Sequence, residues 1–297
     1  MEKLSLLSLI EEASTSDLSF GRYCLQTQAA DLEIDETALL QRMQEVLVVM
    51  RGAIDYGLTG IRSTGGLAGG DGLKLKNRHI AEGTMILGAL AAKAAAYALS
   101  ANEANAAMGR ICAAPTAGSS GVLPAVLFAC SEERDLEQTD LCIALVVAGA
   151  IGMVIASRAT LSGAEGGCQA ECGSASAMAA GAVVDLLGGT PAQVGNAVAL
   201  ALKNLLGLVC DPVAGLVEVP CVKRNAGAAM IALLSADMAL AGIESAIPVD
   251  EVMDAMAAIG RALPDALRET GQGGLAATPT GLEYAERVFG ARNHLTE

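Results

Sequence analysis

Aromatic residues make up only 2% of this chain and tryptophan is absent, while glycine alone numbers 34. A core without large rings has to be filled by small side chains. Alanine and glycine can fill it only where backbones approach closely, as they do between Ala-rich helices. Strand signals, meaning alternating Val, Ile, Thr, Tyr and Phe, are nearly absent. The predicted fold class is all-α: a compact Ala/Gly-rich helical domain with glycine-rich loops between its helices. At 297 residues the chain is long enough for one large core or two modest ones. It has no internal repeat, long linker or sharp change of composition, so one domain over residues 1–297 is the simplest division.

A net charge of −14 with scattered Lys and Arg and few rings to stack on bases argues against nucleic-acid binding. The mean hydropathy of +0.46 raises the question of a membrane. The best candidate span is the uncharged run 141–157, closed by Asp140 and Arg158. It is shorter than the roughly 20 residues a spanning helix needs and lacks an aromatic belt. The run from Ile111 to Ser131 contains Pro-Thr-Ala-Gly-Ser-Ser-Gly and cannot be one helix. No membrane association is expected. The start of the chain, Met1-Glu2-Lys3-Leu4, shows no signal-peptide pattern. Eight cysteines in that setting suggest a reducing cytoplasm, with metal, cluster or core roles rather than a disulfide framework.

Along the chain, the first 30 residues are mixed and are expected to fold back on the domain. Leu39, Met43, Met50 and Ile54 recur at helical spacing behind Asp35, a natural N-cap, and this helix should end near Gly57. The first glycine-rich loop spans 62–72, and a long Ala-rich helix is predicted from about Arg78 to Ser100. The second loop, 114–121, opens an apolar helix reaching Cys130, and residues 132–138 form a polar connector. A buried helix follows from about Asp140 to Ala159, then the third loop, 161–167, and another helix from near Ala170. Thr190-Pro191-Ala192-Gln193 reads as a capping box with proline at the first helical position, opening a helix that ends at Gly207. Two further helices are predicted over 223–241 and 250–262, and a Gly/Thr/Pro-rich stretch, 269–281, precedes a final short one.

Each of the three loops combines Gly with Ser or Thr ahead of a helix, which makes it either an anion site or a tight turn between packed helices. The second is not a P-loop, since no Gly-Lys-Ser/Thr follows, so a small carboxylate suits it better than a nucleotide. Cys24, Cys112, Cys130 and Cys142 read as small buried hydrophobes. Cys168, Cys210 and Cys221 differ, because each sits in a Gly- or Pro-bearing segment. Three thiolates on rigid turns can bind three corners of an iron–sulfur cluster and leave the fourth iron open as a Lewis acid. Cys172, four residues after Cys168, would share its helix face, so a four-cysteine zinc site or plain core packing also fits the spacing.

Several segments together resemble the alpha chain of the iron–sulfur-dependent L-serine dehydratase family. They are Ser63-Thr64-Gly65-Gly66 through Gly69-Gly70-Asp71, Ala114-Pro115-Thr116-Ala117-Gly118 through Gly121, and Gly163-Ala164-Glu165-Gly166-Gly167-Cys168-Gln169-Ala170-Glu171. Cys210-Asp211-Pro212-Val213-Ala214-Gly215, Pro220-Cys221-Val222-Lys223-Arg224-Asn225, and Gly273-Gly274-Leu275-Ala276 with Thr278-Pro279-Thr280-Gly281 complete the set. The resemblance covers about residues 40–290. It implies an all-helical domain with a [4Fe–4S] cluster on Cys168, Cys210 and Cys221, Cys172 not among the ligands. The implied reaction is elimination of water from L-serine to aminoacrylate, which hydrolyses to pyruvate and ammonia without pyridoxal phosphate. Ser63, Thr64, Gly65 and Gly66 of the first loop and Thr116, Ala117, Gly118 and Ser119 of the second are the expected substrate-binding residues.

Elimination also needs a base for the Cα proton, and candidates are few. The chain has two histidines: His294 near the C-terminus and His79 at an expected helix start, where an exposed structural role is anticipated. Lys74 and Lys76 flank the first loop, but an unperturbed lysine is protonated at neutral pH. In single-chain members of the family an N-terminal domain supplies the base from a Ser-Ser-His-type segment, which this sequence lacks. The resemblance therefore implies the two-chain type, with the base supplied by a separate beta chain. Single-chain members also end in a cysteine that caps the open iron; Asn293-His294-Leu295-Thr296-Glu297 has none, so that self-inhibition is not expected. The rival readings are a cysteine desulfidase-like cluster lyase, a cluster-free structural helical subunit and a small membrane-embedded subunit.

Overall fold

The close backbone approach that the composition demands is visible where the third helix meets the fifth. In the computed structural model, which describes residues 3–82 and 86–290, a side-chain carbon placed on Gly57 would lie 2.0 Å from the Ser100 carbonyl oxygen. Only glycine allows that contact.

Thirteen helices are present among the described residues. The first three are α1 Leu6–Thr15, α2 Phe20–Asp31 and α3 Glu36–Gly57, followed by α4 Asp71–Glu82, α5 Gly88–Ala106, α6 Val122–Arg134 and α7 Gln138–Arg158. Then come the single turn α8 Gly163–Gly166, α9 Ser174–Leu186, α10 Pro191–Leu205, α11 Cys221–Leu240, α12 Val249–Ala262 and α13 Pro279–Phe289. A π-helical turn, Gln169–Gly173, leads directly into α9. No strand occurs among the described residues; only two isolated bridges do, Arg62 with Gly69 and Cys210 with Arg268. The all-α expectation holds.

Helix α9 is the axis of the bundle, touching α6, α7, α10 and α11. It serves because Ala175, Ala177, Ala179, Ala180 and Ala182 are fully buried and present no bulk to hold neighbours away. The main cluster of buried side chains runs from Leu6 to Met256, beside a small second one of Ala68, Leu99 and Val222. Helix α7 is long and apolar enough to cross a membrane, but 72% of its most apolar stretch is buried inside the bundle. It packs against α2, α3 and α9. Its apolarity is that of a core helix.

Three expectations are corrected. The N-terminal segment is not merely folded back: Ser5 and Ser19 cap α1 and α2, whose Leu6, Phe20 and Leu25 enter the main core. The helix expected over 78–100 is two helices, α4 starting earlier at Asp71 and α5 beginning at Gly88, where φ is +74° and regular helix cannot pass. The connector at 132–138 shortens to 135–137 because α6 continues to Arg134 and Asp135 ends it in a left-handed conformation. The other predicted starts are found: Asp35 caps α3, and Thr190 and Gln193 form the reciprocal capping box.

Candidate functional site

Cys168, Cys210 and Cys221 arrive from three separate elements. Cys168 caps the π-helical turn, Cys210 lies in the loop after α10, and Cys221 is the first residue of α11. All three are buried free thiols. Burial pushes the Cys221 thiol up to about 12, with Cys168 and Glu171 adding to the rise. Burial raises Cys210 as well, again with Cys168 and Glu171 adding. Cys168 moves the other way, because a hydrogen bond with Cys172 lowers it against burial and the charge of Arg224 helps. A pocket of this kind resists carrying several thiolates unless a cation shares it.

Local sequence explains how these elements meet. Gly167 has φ +75°, and a side-chain carbon there would lie 2.9 Å from Leu208 O, so glycine lets the Cys168 turn close onto the Cys210 loop. Gln169 then stitches the two: its N–H donates to Leu208 O at 3.0 Å, and its Oε1 accepts Gly207 N–H at 2.9 Å. On the far side, Cys210 N–H donates to Leu267 O at 2.9 Å, and Glu269 N–H donates to Cys210 O at 2.7 Å. The next residue, Asp211, accepts Leu275 N–H at 2.8 Å. Thus the segment after α12 is laced along the cysteine loop.

The first turn of α11 organises the rest. Lys223 Nζ meets Asp71 Oδ2 at 2.7 Å, tying down the start of α4. Arg224 Nη1 donates to Val209 O at 2.8 Å, and its Nη2 forms an ion pair with Asp211 Oδ1 at 2.8 Å. Asn225 is fully buried and holds the second loop, its Nδ2 donating to Gly118 O at 2.7 Å and to Cys221 O at 2.9 Å, and its Oδ1 accepting Gly121 N–H at 2.9 Å. Asn102 adds bonds to Ala117 O and Gly118 O, both 3.2 Å.

Glu171 sits where the second and third loops meet. Its Oε1 accepts the Thr116 hydroxyl at 2.7 Å, and Oε2 lies 3.8 Å from Cys210 Sγ. Glycines make room for it: side-chain carbons on Gly118 and Gly163 would stand 3.0 and 2.6 Å from its oxygens. Burial raises its pKa against the Thr116 hydrogen bond, and Glu269 adds repulsion. Glu171, Cys210 and Glu269 form the one trio among the described residues whose donor atoms all lie within 4.8 Å of one another. The sulfurs of Cys168, Cys172, Cys210 and Cys221 supply no such trio. One tetrahedral zinc would need them about 3.8 Å apart, given Zn–S near 2.3 Å. The compact trio of Glu171, Cys210 and Glu269 is therefore the candidate metal-binding group among the described residues.

The two loops expected to bind substrate differ in their free capacity. In the first, Ser63 Oγ lies 2.5 Å from Glu218 Oε2, Gly65 N–H donates to Oε1 at 2.8 Å, and Leu67 N–H to Oε2 at 2.9 Å. Ser63 is buried, Gly66 N–H turns back to Ser63 O at 3.1 Å, and Thr64 is exposed at the tip. In the second loop, the backbone N–H groups of Thr116, Ala117, Gly118 and Ser119 find no acceptor among the described residues. Thr116 and Ser119 hydroxyls pair at 3.1 Å.

Of the other residues singled out, Cys24, Cys130 and Cys142 are buried in the core and Cys112 is half-buried. His79 lies on α4, half-buried rather than exposed, its Nδ1 screened from solvent with no partner among the described residues. Lys74 pairs with Asp71 at 2.8 Å, and Lys76 is exposed. His294 and residues 293–297 fall outside the described residues. Sequence reasoning assigns no role to Glu171, Glu269, Asp211, Arg224 or Glu218. Glu171, Asp211 and Arg224 lie inside the quoted motif segments and Glu218 lies three residues before Cys221, while no local signal marks Glu269.

Known proteins resemble this chain along most of its length. A 265-residue alignment with the "Probable L-serine dehydratase, alpha chain" of Bacillus subtilis is 55% identical and covers 88% of each chain. The protein of the same name from Latilactobacillus sakei is 58% identical over 65% of this chain and 92% of its own. "L-serine dehydratase" of Streptomyces coelicolor, named without a chain designation, is 38% identical over 90% of this chain but only 59% of its own length. Residues 2–276 match the family described as "Serine dehydratase alpha chain", and the chain belongs to that family.

Proposed function

We propose that this chain is the alpha chain of an iron–sulfur-dependent L-serine dehydratase. It converts L-serine to pyruvate and ammonia by eliminating water, and it works with a separate beta chain. The observation that carries the proposal is the meeting of Cys168, Cys210 and Cys221 in one buried pocket beside two glycine-rich loops. Relatives named as L-serine dehydratase alpha chains supply the substrate.

In this reading the three cysteines hold a [4Fe–4S] cluster, and Arg224 offsets part of their negative charge. When bound, the cluster supplies a Lewis acid at its open corner for the departing hydroxyl, which is otherwise a poor leaving group. The protein's own residues bind and orient the substrate. The free N–H groups of Thr116, Ala117, Gly118 and Ser119 take the substrate carboxylate. The hydroxyls of Thr64 and Thr116 add contacts from either side, and the carboxylates of Glu171 and Glu269 offer negative charge to the α-ammonium. Ser63, Gly65 and Gly66 shape the first loop. No pyridoxal phosphate takes part.

The base for the Cα proton comes from the beta chain. The single-name Streptomyces relative fits this, since this chain spans only 59% of it. A cytoplasmic location belongs to the same reading, and all eight cysteines are free.

The test is pyruvate release from L-serine by alpha chain, beta chain and their mixture, all prepared without oxygen. Activity is expected only in the mixture, with Thr116→Val raising KM. Activity in the alpha chain alone would overturn the two-chain assignment, and preferential sulfide release from L-cysteine would move the chain to the desulfidases.

A further inference from the structure

The carboxylate of Glu218 is buried, with only 3% of the residue exposed, and no cation partners it among the described residues. Three donors converge on it instead: the Ser63 hydroxyl and the N–H groups of Gly65 and Leu67, at 2.5, 2.8 and 2.9 Å. Residues 63 and 65 flank Thr64, so the carboxylate clamps the backbone on both sides of that exposed hydroxyl. Gly65 is part of the clamp, because a side-chain carbon there would stand 2.5 Å from Glu218 Oε1. Glu218 also belongs to the turn that delivers Cys221, with Val222 N–H donating to Glu218 O at 3.1 Å. A buried carboxylate without a cation is a costly way to tie down a loop. It does, however, fill the loop's ready-made anion site, while the matching N–H groups of the second loop stay open.

We propose that Glu218 is a positioning residue for substrate recognition. It fixes Thr64 for contact with the substrate and closes the first loop to the substrate carboxylate, which is thereby directed to the second. This rests on the dehydratase reading and on Thr64 as a substrate contact. Glu218 touches neither the substrate nor the cluster; it acts through the loop.

The test uses the alpha–beta holoenzyme, with steady-state kinetics on L-serine alongside iron and sulfide content. In Glu218→Gln an amide N–H₂ replaces one accepting oxygen and opposes the loop's donors. KM should rise about tenfold, the usual scale for losing a hydrogen bond to a charged group, while kcat stays within about twofold. Iron and sulfide should match the wild type. Ser63→Ala opens the same contact from the loop side and should raise KM in the same sense, so it decides the matter if Glu218→Gln does not fold. A fall in kcat in step with lost iron, or an unchanged KM, would overturn the proposal. Thr64→Val separates the two levels. If it raises KM while Glu218→Gln and Ser63→Ala do not, only the positioning role fails. If Thr64→Val and Thr116→Val both leave KM unchanged, the assignment of these loops to the substrate fails.

Discussion

Asn225 shows most clearly how single residues set the geometry of this site. It spends both amide N–H groups on carbonyls, Gly118 O and Cys221 O, and its oxygen on Gly121 N–H, so it joins the second loop to the residue that starts α11. Asn225→Asp keeps the shape but turns an oxygen toward two carbonyls in a fully buried place. We expect a loss of about 3 kcal/mol in unfolding free energy, of the size seen when a buried charge is left unpaired. Denaturant unfolding of the alpha chain would check it, and an unchanged midpoint and slope would contradict it. The asparagine was visible in the sequence as part of Pro220-Cys221-Val222-Lys223-Arg224-Asn225. Its work was not, because its partner Gly118 lies more than a hundred positions away. Glu171 and Glu218 were hidden for the same reason: each acts on loops that only the folded chain brings near.

Helices were legible wherever their ends carry local chemistry. Asp35 and the Thr190–Gln193 box announce α3 and α10 through contacts three residues long. Ser5 and Ser19 cap α1 and α2 in the same way and were available as signals. The break between α4 and α5 was missed because the Ala-rich pattern outweighed Gly83 and Gly88. Close packing gives the elements their own test in α3, which carries two glycines in opposite settings. A side-chain carbon on Gly57 would stand 2.0 Å from the Ser100 carbonyl oxygen, whereas one on exposed Gly52 would meet nothing within 4 Å. Gly57→Ala must push α3 from α5 and should cost about 3 kcal/mol or more. Gly52→Ala should be neutral or stabilise by up to about 1 kcal/mol. Equal effects in thermal unfolding would show that this helix contact is not as tight as described.

At the scale of the molecule, an all-helical bundle of small side chains brings together three cysteines that the sequence keeps apart. The π-helical turn, the loop after α10 and the start of α11 converge, and the stretch after α12 closes over them through Asp211 and Glu269. The Gly- and Pro-bearing segments mark out these cysteines, spacing favours a metal or cluster site only modestly over core packing, and the motif resemblance supplies the rest. What supports the cluster reading is the burial of these thiols, the charge coupling of Cys210 and Cys221 to Cys168, and Arg224 beside them. The most direct test is iron and acid-labile sulfide in the alpha chain purified without oxygen, as wild type and as Cys210→Ser, with the visible spectrum of each. We expect roughly four iron and four sulfide per wild-type chain, lost or sharply reduced in the variant. Wild-type chain with neither iron nor sulfide after anaerobic reconstitution would contradict the cluster and leave a helical subunit whose cysteines only pack.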